Sequence, residues 1–138
     1  TPSKILFLSD AELRSCYFSR QKIVYARELA TTIRKRKLVL SKLAHLQDEE
    51  IRLEMKKIKG IGDWTVDVFL MQALQRTDLF PLGDIALVNS LKEVKRLPKN
   101  VSNEEMLRIA EPWKPYRTIA SMLLWHAYIK KREIKLRD

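Results

Sequence analysis

Apolar side chains recur at Ile23, Ala26, Ala30 and Ile33, the spacing of one buried helical face, and Ser19 stands where an N-cap belongs. The run Arg34 to Lys37, RKRK, closes that helix with cations that suit its negative end. Upstream, Ser9 to Glu12 (SDAE) reads as a capping box opening a short helix. Downstream, Asp48 is placed to cap a helix through Ile51, Met55 and Ile58 that stops at Gly60. Asp63 to Leu74 is apolar almost all round and predicts a mostly buried helix. A connector, RTDLFPLG, leads to Asp84, which opens a helix to about Arg96, broken by Pro98. Ser102 to Glu105 (SNEE) reads as a second capping box, Pro112 ends its helix, and Pro115 suits the first turn of a last one, Tyr116 to about Lys131. The basic tail KKREIKLRD is expected to fray. No alternating strand pattern and no solenoid repeat is present, so the predicted class is all-α. The expected organisation is one helical domain over residues 1–138, with a hairpin at 51–74, a loop and helix at 78–96 and C-terminal helices at 102–131.

Composition narrows this picture. Only 3 of 138 residues are glycine, where about ten are usual, which agrees with a helical chain. No apolar run approaches the roughly 20 residues of a membrane span, and the N-terminal stretch lacks a signal-peptide core. The first residue is Thr1 rather than Met, so the numbering is expected to start inside a longer gene product or after a removed tag. A single cysteine, Cys16, allows neither an internal disulfide nor a four-cysteine zinc or iron–sulfur site, and fits a reduced intracellular compartment. Lys and Arg total 27 against 17 acids, a formal net charge of +10, which favours a polyanionic partner because phosphate neutralisation releases counterions. A merely basic solvated surface is the plainer alternative.

Two of the three glycines flank Ile61 in KIKGIGDWT, Lys57 to Thr65. Gly60 can take the left-handed conformation that ends a helix, and Gly62 lets the backbone approach whatever lies over the turn. The following helix begins with backbone N–H groups that bind phosphate without regard to sequence, and Lys56, Lys57 and Lys59 add charge. An ordinary helix connection would need one glycine. The third glycine, Gly83, precedes Asp84. Asp is a good N-cap, and a helix's positive end favours the ionised carboxylate, which can stabilise an oxocarbenium-like sugar or orient water.

The apolar-x-Gly-apolar-Gly turn resembles the helix-hairpin-helix element of DNA-binding proteins. Together, IKGIGDWTVDVFLMQAL and DLFPLGDIALVNSL resemble the helix-hairpin-helix base-excision DNA glycosylases, most of all the alkylpurine branch, 3-methyladenine DNA glycosylase II. FSRQKIVYARELA and AEPWKPYRTIASMLLWHAY carry the likeness across nearly the whole chain. The resemblance implies a catalytic Asp84, a base pocket containing Trp64 and Trp125, and a phosphate grip at Lys59, Gly60, Ile61, Gly62 and Thr65. It admits Na+ or K+ at the hairpin carbonyls and otherwise no cofactor. Relatives that cleave the strand carry a Schiff-base lysine where this chain has Trp64, so the implied enzyme is monofunctional and leaves an abasic site. Its substrate would be an alkylated purine flipped out of double-stranded DNA, and its state a monomer.

The alkylpurine enzymes have further helices before the matched segment, including a glutamine-containing wedge, so the chain is expected to be a fragment or a shortened member. Two rivals remain: a non-catalytic DNA-binding module that keeps the hairpin, and a basic protein-interaction domain. Among other residues, Trp113 is expected to anchor the final helix by packing, with Lys114 and Arg117 near phosphate. Asp67 reads as structural, His45 and His126 as surface or partly buried residues, and Cys16 as a packed thiol. Arg20 and Lys22 either touch the DNA backbone or solvate a helix start.

Overall fold

In a computed structural model that describes residues 1–133, every regular element is helical. The chain forms two compact units, residues 1–66 and 67–138. The tail expected to fray falls partly on residues 134–138, which lie outside the described residues.

The first unit contains α1 (Pro2–Phe7), α2 (Asp10–Ser15), α3 (Arg20–Arg34), α4 (Leu40–Leu43), α5 (Asp48–Lys56) and the start of α6 (Asp63–Gln72). Leu13, Ile23, Ala30, Leu43, Ile51 and Met55 are buried, so the apolar face predicted for α3 is the one the core uses. Ser9 and Glu12 form the expected capping box on α2, with Ser9 N–H donating to Glu12 Oε2 at 2.7 Å. Ser19 caps α3, accepting from the Lys22 amide at 3.3 Å. Arg27 on α3 donates to the Leu8 carbonyl and to Asp10 Oδ1, both at 2.8 Å, and so ties the α1–α2 corner to α3.

Three local expectations shift. The cap of α5 is Gln47, one residue before Asp48, because Glu50 reaches back to the Gln47 amide at 2.8 Å and closes a capping box there. Helix α1 was not expected, although Thr1 followed by Pro2 is a start signal: the Thr1 hydroxyl accepts from the Lys4 amide and Pro2 occupies the first turn. The four-residue α4 has no side-chain cap and no period long enough to read.

The second unit holds the rest of α6, then α7 (Ile85–Val94), α8 (Asn103–Ala110), a 3₁₀ turn at Glu111–Trp113 and α9 (Arg117–Lys131). Its core is Leu87, Leu91, Met106 and Leu124, with Phe80, Val88, Ile109, Trp113 and Trp125 packed against it. Helix α8 is capped by the Ser102 hydroxyl, which accepts from the Glu105 amide at 3.2 Å, but the reciprocal arm of the expected box is missing. Glu105 pairs instead with Arg108 one turn on, a charged partner that outcompetes the neutral backbone amide. Pro115 stands just ahead of α9, whose N-cap is Tyr116, rather than in its first turn. At the far end, Lys131 and Arg132 both pair with Glu93 of α7, at 3.0 and 2.8 Å, so these two basic residues are fastened rather than frayed.

Candidate DNA-binding hairpin and catalytic carboxylate

The hairpin is built by a helix that stops and a helix that starts within six residues. After α5, Ile58 N–H donates to Met55 and Ile61 N–H to Ile58, at 3.0 and 3.1 Å. Gly60 then turns the chain at φ +92°, a region that a side chain rarely occupies. Space closes the same position: a Cβ on Gly60 would lie 2.2 to 2.5 Å from ring atoms of Tyr25 on α3. That ring is oriented by its hydroxyl, 2.6 Å from Gln21 Nε2. Gly60 is therefore required by the fold itself.

Gly62 is not. Its φ is outside the left-handed region, and a Cβ there would meet nothing within 4 Å. The fold would accept a side chain at a place where the sequence has none, in the residue just before α6. The first backward bond of α6 runs from Val66 N–H to the Gly62 carbonyl at 3.1 Å, and amides ahead of it are those a helix leaves without an intrahelical partner. Because Ile61 N–H is already committed to Ile58, a phosphate would be met by the amides that follow it. Thr65 is half-buried in this first turn.

The three lysines around the turn are not equivalent. Lys56 Nζ lies 2.6 Å from Asp63 Oδ1, and Lys57 Nζ lies 2.6 Å from Glu54 Oε1. The hydrogen bond from Lys56 holds the Asp63 carboxyl below its ordinary range. Lys59 is exposed and makes no ion pair among the described residues, so of the three its charge is the one not already met by an acid.

In the second unit, Asp84 is the N-cap of α7, its Oδ1 accepting from the Leu87 amide at 2.8 Å. Its own amide donates to the Pro81 carbonyl at 3.0 Å, which folds FPLGD into a turn and delivers the carboxylate half-buried at the helix's positive end. The connector before it is fastened to the start of α9. Arg117 grips both carboxylate oxygens of Asp78, at 2.6 and 2.9 Å, and the Asp78 carbonyl at 3.2 Å. Thr118 donates its N–H to Thr77 and its hydroxyl to Arg76, and accepts from the Leu79 amide. Ser121 Oγ is within bonding distance of the Leu79 and Arg117 carbonyls. The hydrogen bond with Arg117, then its charge, holds the Asp78 carboxyl low, and Asp78 in turn raises Arg117.

No family model matches the chain. A Bacillus subtilis protein whose name places it provisionally among the DNA-3-methyladenine glycosylases is 39% identical over 126 residues, which cover 91% of this chain and 44% of that protein. DNA-3-methyladenine glycosylase 1 of Schizosaccharomyces pombe is 33% identical, over 91% of this chain and 55% of its own length. Among solved structures, the Schizosaccharomyces pombe 3-methyladenine DNA glycosylase in complex with abasic DNA matches with a TM-score of 0.82 at 29% identity, over 100% of this chain and 66% of that one. The chain belongs to the helix-hairpin-helix DNA glycosylases. It spans about half the length of the curated relatives it matches.

Within this chain the expected site residues fall into two groups. Lys59, Gly60, Ile61, Gly62, Trp64 and Thr65 share the hairpin turn of the first unit, and Trp64 is 49% exposed. Asp84 and Trp125 belong to the second, on α7 and α9, and the half-buried Trp125 packs against the cluster that contains Leu87. Trp113 is a packing residue as expected, edge-on to Phe80 at 5.9 Å between ring centroids, with Lys95 5.7 Å over its ring.

Expectations for three other residues are corrected. Arg117 is bound to Asp78 and Lys114 to Glu111 at 2.7 Å, so each has an internal partner instead of standing ready for phosphate. Cys16 is exposed rather than packed, because it sits at the C-terminal end of the two-turn helix α2, where only Leu13 faces inward. His45 and His126 are exposed, within the surface or partly buried placement read from the sequence, and Asp67 is buried. The Asp78–Arg117–Thr118 clamp was missed. Its signal was the bare pairing of an acid in TDLF with an arginine at a helix start 39 residues on, which no spacing rule connects.

Proposed function

We propose that the protein is a monofunctional DNA glycosylase that hydrolyses the N-glycosidic bond of alkylated purines, 3-methyladenine or 7-methylguanine in type, in double-stranded DNA. The observation that carries this reading is Asp84, fixed by the α7 amide in a chain that is 33% identical, over 91% of its length, to a DNA-3-methyladenine glycosylase. The hairpin amides and Lys59 hold one phosphate, and the damaged nucleotide is flipped from the stack. An indole, Trp125 of the second unit or Trp64 of the first, stacks on the extruded base. A purine alkylated at N3 or N7 is cationic, and an indole face attracts a cation by about 1–2 kcal/mol.

As the C1′–N bond breaks, its electron pair leaves with the base, which departs neutral, and the positive charge passes to the sugar. Asp84 stabilises that oxocarbenium and orients a water whose oxygen bonds C1′, with its proton released to the carboxylate or to solvent. The products are the free base and an abasic site. Trp64 has no amine with which to form a Schiff base, so strand cleavage does not follow. The turn carbonyls would hold Na+ or K+; that of Ile58 accepts one N–H and keeps a lone pair, and the ion would supply further charge to the phosphate. One cysteine cannot supply a four-thiolate cluster, so none is proposed. The protein acts as a monomer inside the cell.

Incubation of the chain with methylated duplex DNA is expected to release free methylpurine, with strands breaking only after alkali converts the abasic sites. Nicking without alkali would contradict the monofunctional reading, and absence of released base would leave the binding-module reading in its place. A second outcome concerns the hairpin mouth. Asp63→Asn removes a negative charge there and frees Lys56 from its 2.6 Å pair. Affinity for duplex DNA of any sequence should rise several-fold, and the salt dependence should steepen by about one counterion. Titration at two salt concentrations checks both, and weaker binding by the variant would remove phosphate from the mouth.

A further inference from the structure

The RKRK run, Arg34 to Lys37, carries more charge than its helix can use. Helix α3 ends at Arg34, and the chain itself meets its closing carbonyls. Lys35 N–H donates to the Thr31 carbonyl and Arg36 N–H to that of Ile33, both at 2.9 Å, and Lys37 N–H to that of Thr32 at 3.0 Å. The last two are the paired bonds of a Schellman motif, with Arg36 at its left-handed position, φ +54°, where glycine is preferred. The helix dipole acts over the last turn, so Arg34 and Lys35 suffice for it. Arg36 and Lys37 stand beyond that turn, and backbone conformation selects against arginine in the first of these places.

Arg36 and Lys42 help to line an open hollow of about 560 Å³ whose other lining residues, Ile33, Leu38, Val39 and Leu40, are all apolar. That volume falls in the range of about 300–1,000 Å³ typical of ligand sites. Leu38 is buried, Ile33 and Val39 are half-buried, and Leu40 is 46% exposed. Helix α4 contributes Leu43 to the core and leaves Leu40 outside it. No acid lines the hollow, and residues 29–47 contain none. Arg34, Lys35, Arg36, Lys37 and Lys42 are all exposed, and none makes an ion pair among the described residues. The neighbouring hollow, lined by Lys35 and Lys37, differs in holding Glu28 and Glu54.

We propose that the hollow between the end of α3 and α4 docks an acidic peptide segment of a partner protein. A bulky apolar side chain of the peptide rests on Ile33, Val39 and Leu40, and flanking Asp or Glu residues meet Arg36 and Lys42. A nucleic acid fits the lining less well. Its phosphates would satisfy the cations, but its backbone has nothing apolar to lay on the floor, and the lining holds no aromatic face on which a base would stack. A neutral apolar peptide would leave the cations unused. Cations and floor together select acids set beside an apolar anchor, the charges steering the encounter and the buried anchor holding it. The inference does not depend on the chemistry at Asp84, and it gives the chain a partner other than its substrate.

Selection of a displayed library of random peptides against the full chain tests this. Enriched sequences should set Asp and Glu beside a large apolar residue, and the strongest of them, synthesised and labelled, should bind in fluorescence anisotropy. Leu40→Ser and Lys42→Glu should each weaken that peptide roughly tenfold. Arg36→Gly should weaken it several-fold while its melting temperature rises, because the left-handed strain is relieved; this separates lost contact from lost folding. The same Arg36→Gly chain should keep its affinity for a short duplex DNA within about twofold, since the hairpin is untouched. No enrichment, enrichment of peptides without acids, or a peptide that Leu40→Ser and Lys42→Glu bind as wild type does would each overturn the proposal. An Arg36→Gly chain that loses duplex DNA as strongly as it loses the peptide would assign the cations to nucleic acid and overturn it too.

Discussion

Asp84→Asn should lower methylpurine release about 100- to 1000-fold while leaving duplex affinity within about twofold of wild type, the range seen when one preorganised transition-state stabiliser is removed. Asparagine is chosen because it separates the two roles of this residue. As an N-cap it is the equal of aspartate, so the bond to the Leu87 amide, 2.8 Å in the native chain, is kept and stability should change little. What it cannot do is meet a cationic sugar with negative charge. Asp84→Ala loses both roles, and a further loss of about 1 kcal/mol of stability is expected from the missing cap. Single-turnover release from methylated DNA, alongside a melting curve, reads the two effects apart. Retention of wild-type release by Asp84→Asn would reduce the aspartate to a cap and remove the proposed chemistry. The Asp78–Arg117 clamp gives a useful contrast, since it fixes the same loop without facing a sugar in this scheme.

The parts of the fold that were legible are those dictated within one or two helical turns. Ser9, Ser19, Asp84 and Ser102 each cap a helix as read, because the capping hydrogen bond closes over three residues and needs nothing from the rest of the chain. Where the expectation slipped, a neighbour competed over the same short range: Glu50 drew the cap of α5 to Gln47, and Arg108 drew Glu105 away from Ser102. Long-range pairing was not legible. Arg117 looks like a phosphate ligand in WKPYR, and only the fold brings Asp78 against it. The same holds for Lys56 and Lys57, two of three cations read as a positive collar, whose charges are met by Asp63 and Glu54.

The site was legible to the extent that glycine is informative. Sequence spacing located the turn and attached different reasons to Gly60 and Gly62. The structure supplies what spacing could not, namely that the obstacle at Gly60 is the Tyr25 ring, 35 residues earlier, and that nothing in the described chain obstructs Gly62. The left-handed turn at Arg36 carried no sequence signal because a Schellman end without glycine looks like any other helix end until its φ is seen.

Substituting the two hairpin glycines should therefore give opposite results. Gly60→Ala forces a Cβ into a ring 2.2 Å away and keeps it at φ +92°. Left-handed strain and displacement of the ring together should cost about 3 kcal/mol, a fall of roughly 10 °C in melting temperature for a chain of this size. Adding Tyr25→Ala removes the obstacle but not the strain, so the double variant should recover part of the loss, and a double-mutant cycle measures the coupling. Gly62→Ala should fold as well as wild type, within about 0.5 kcal/mol, since the new methyl meets open space and the backbone is unstrained. Its cost should appear only with DNA, as roughly a tenfold or greater loss of affinity for duplexes of any sequence, because the methyl stands where a phosphate must approach the α6 amides. Gly62→Val should lose more. Full DNA affinity in Gly62→Val would mean that the opening over the turn is not where the strand is held, and the hairpin would be left as a helix connection with one glycine more than it needs.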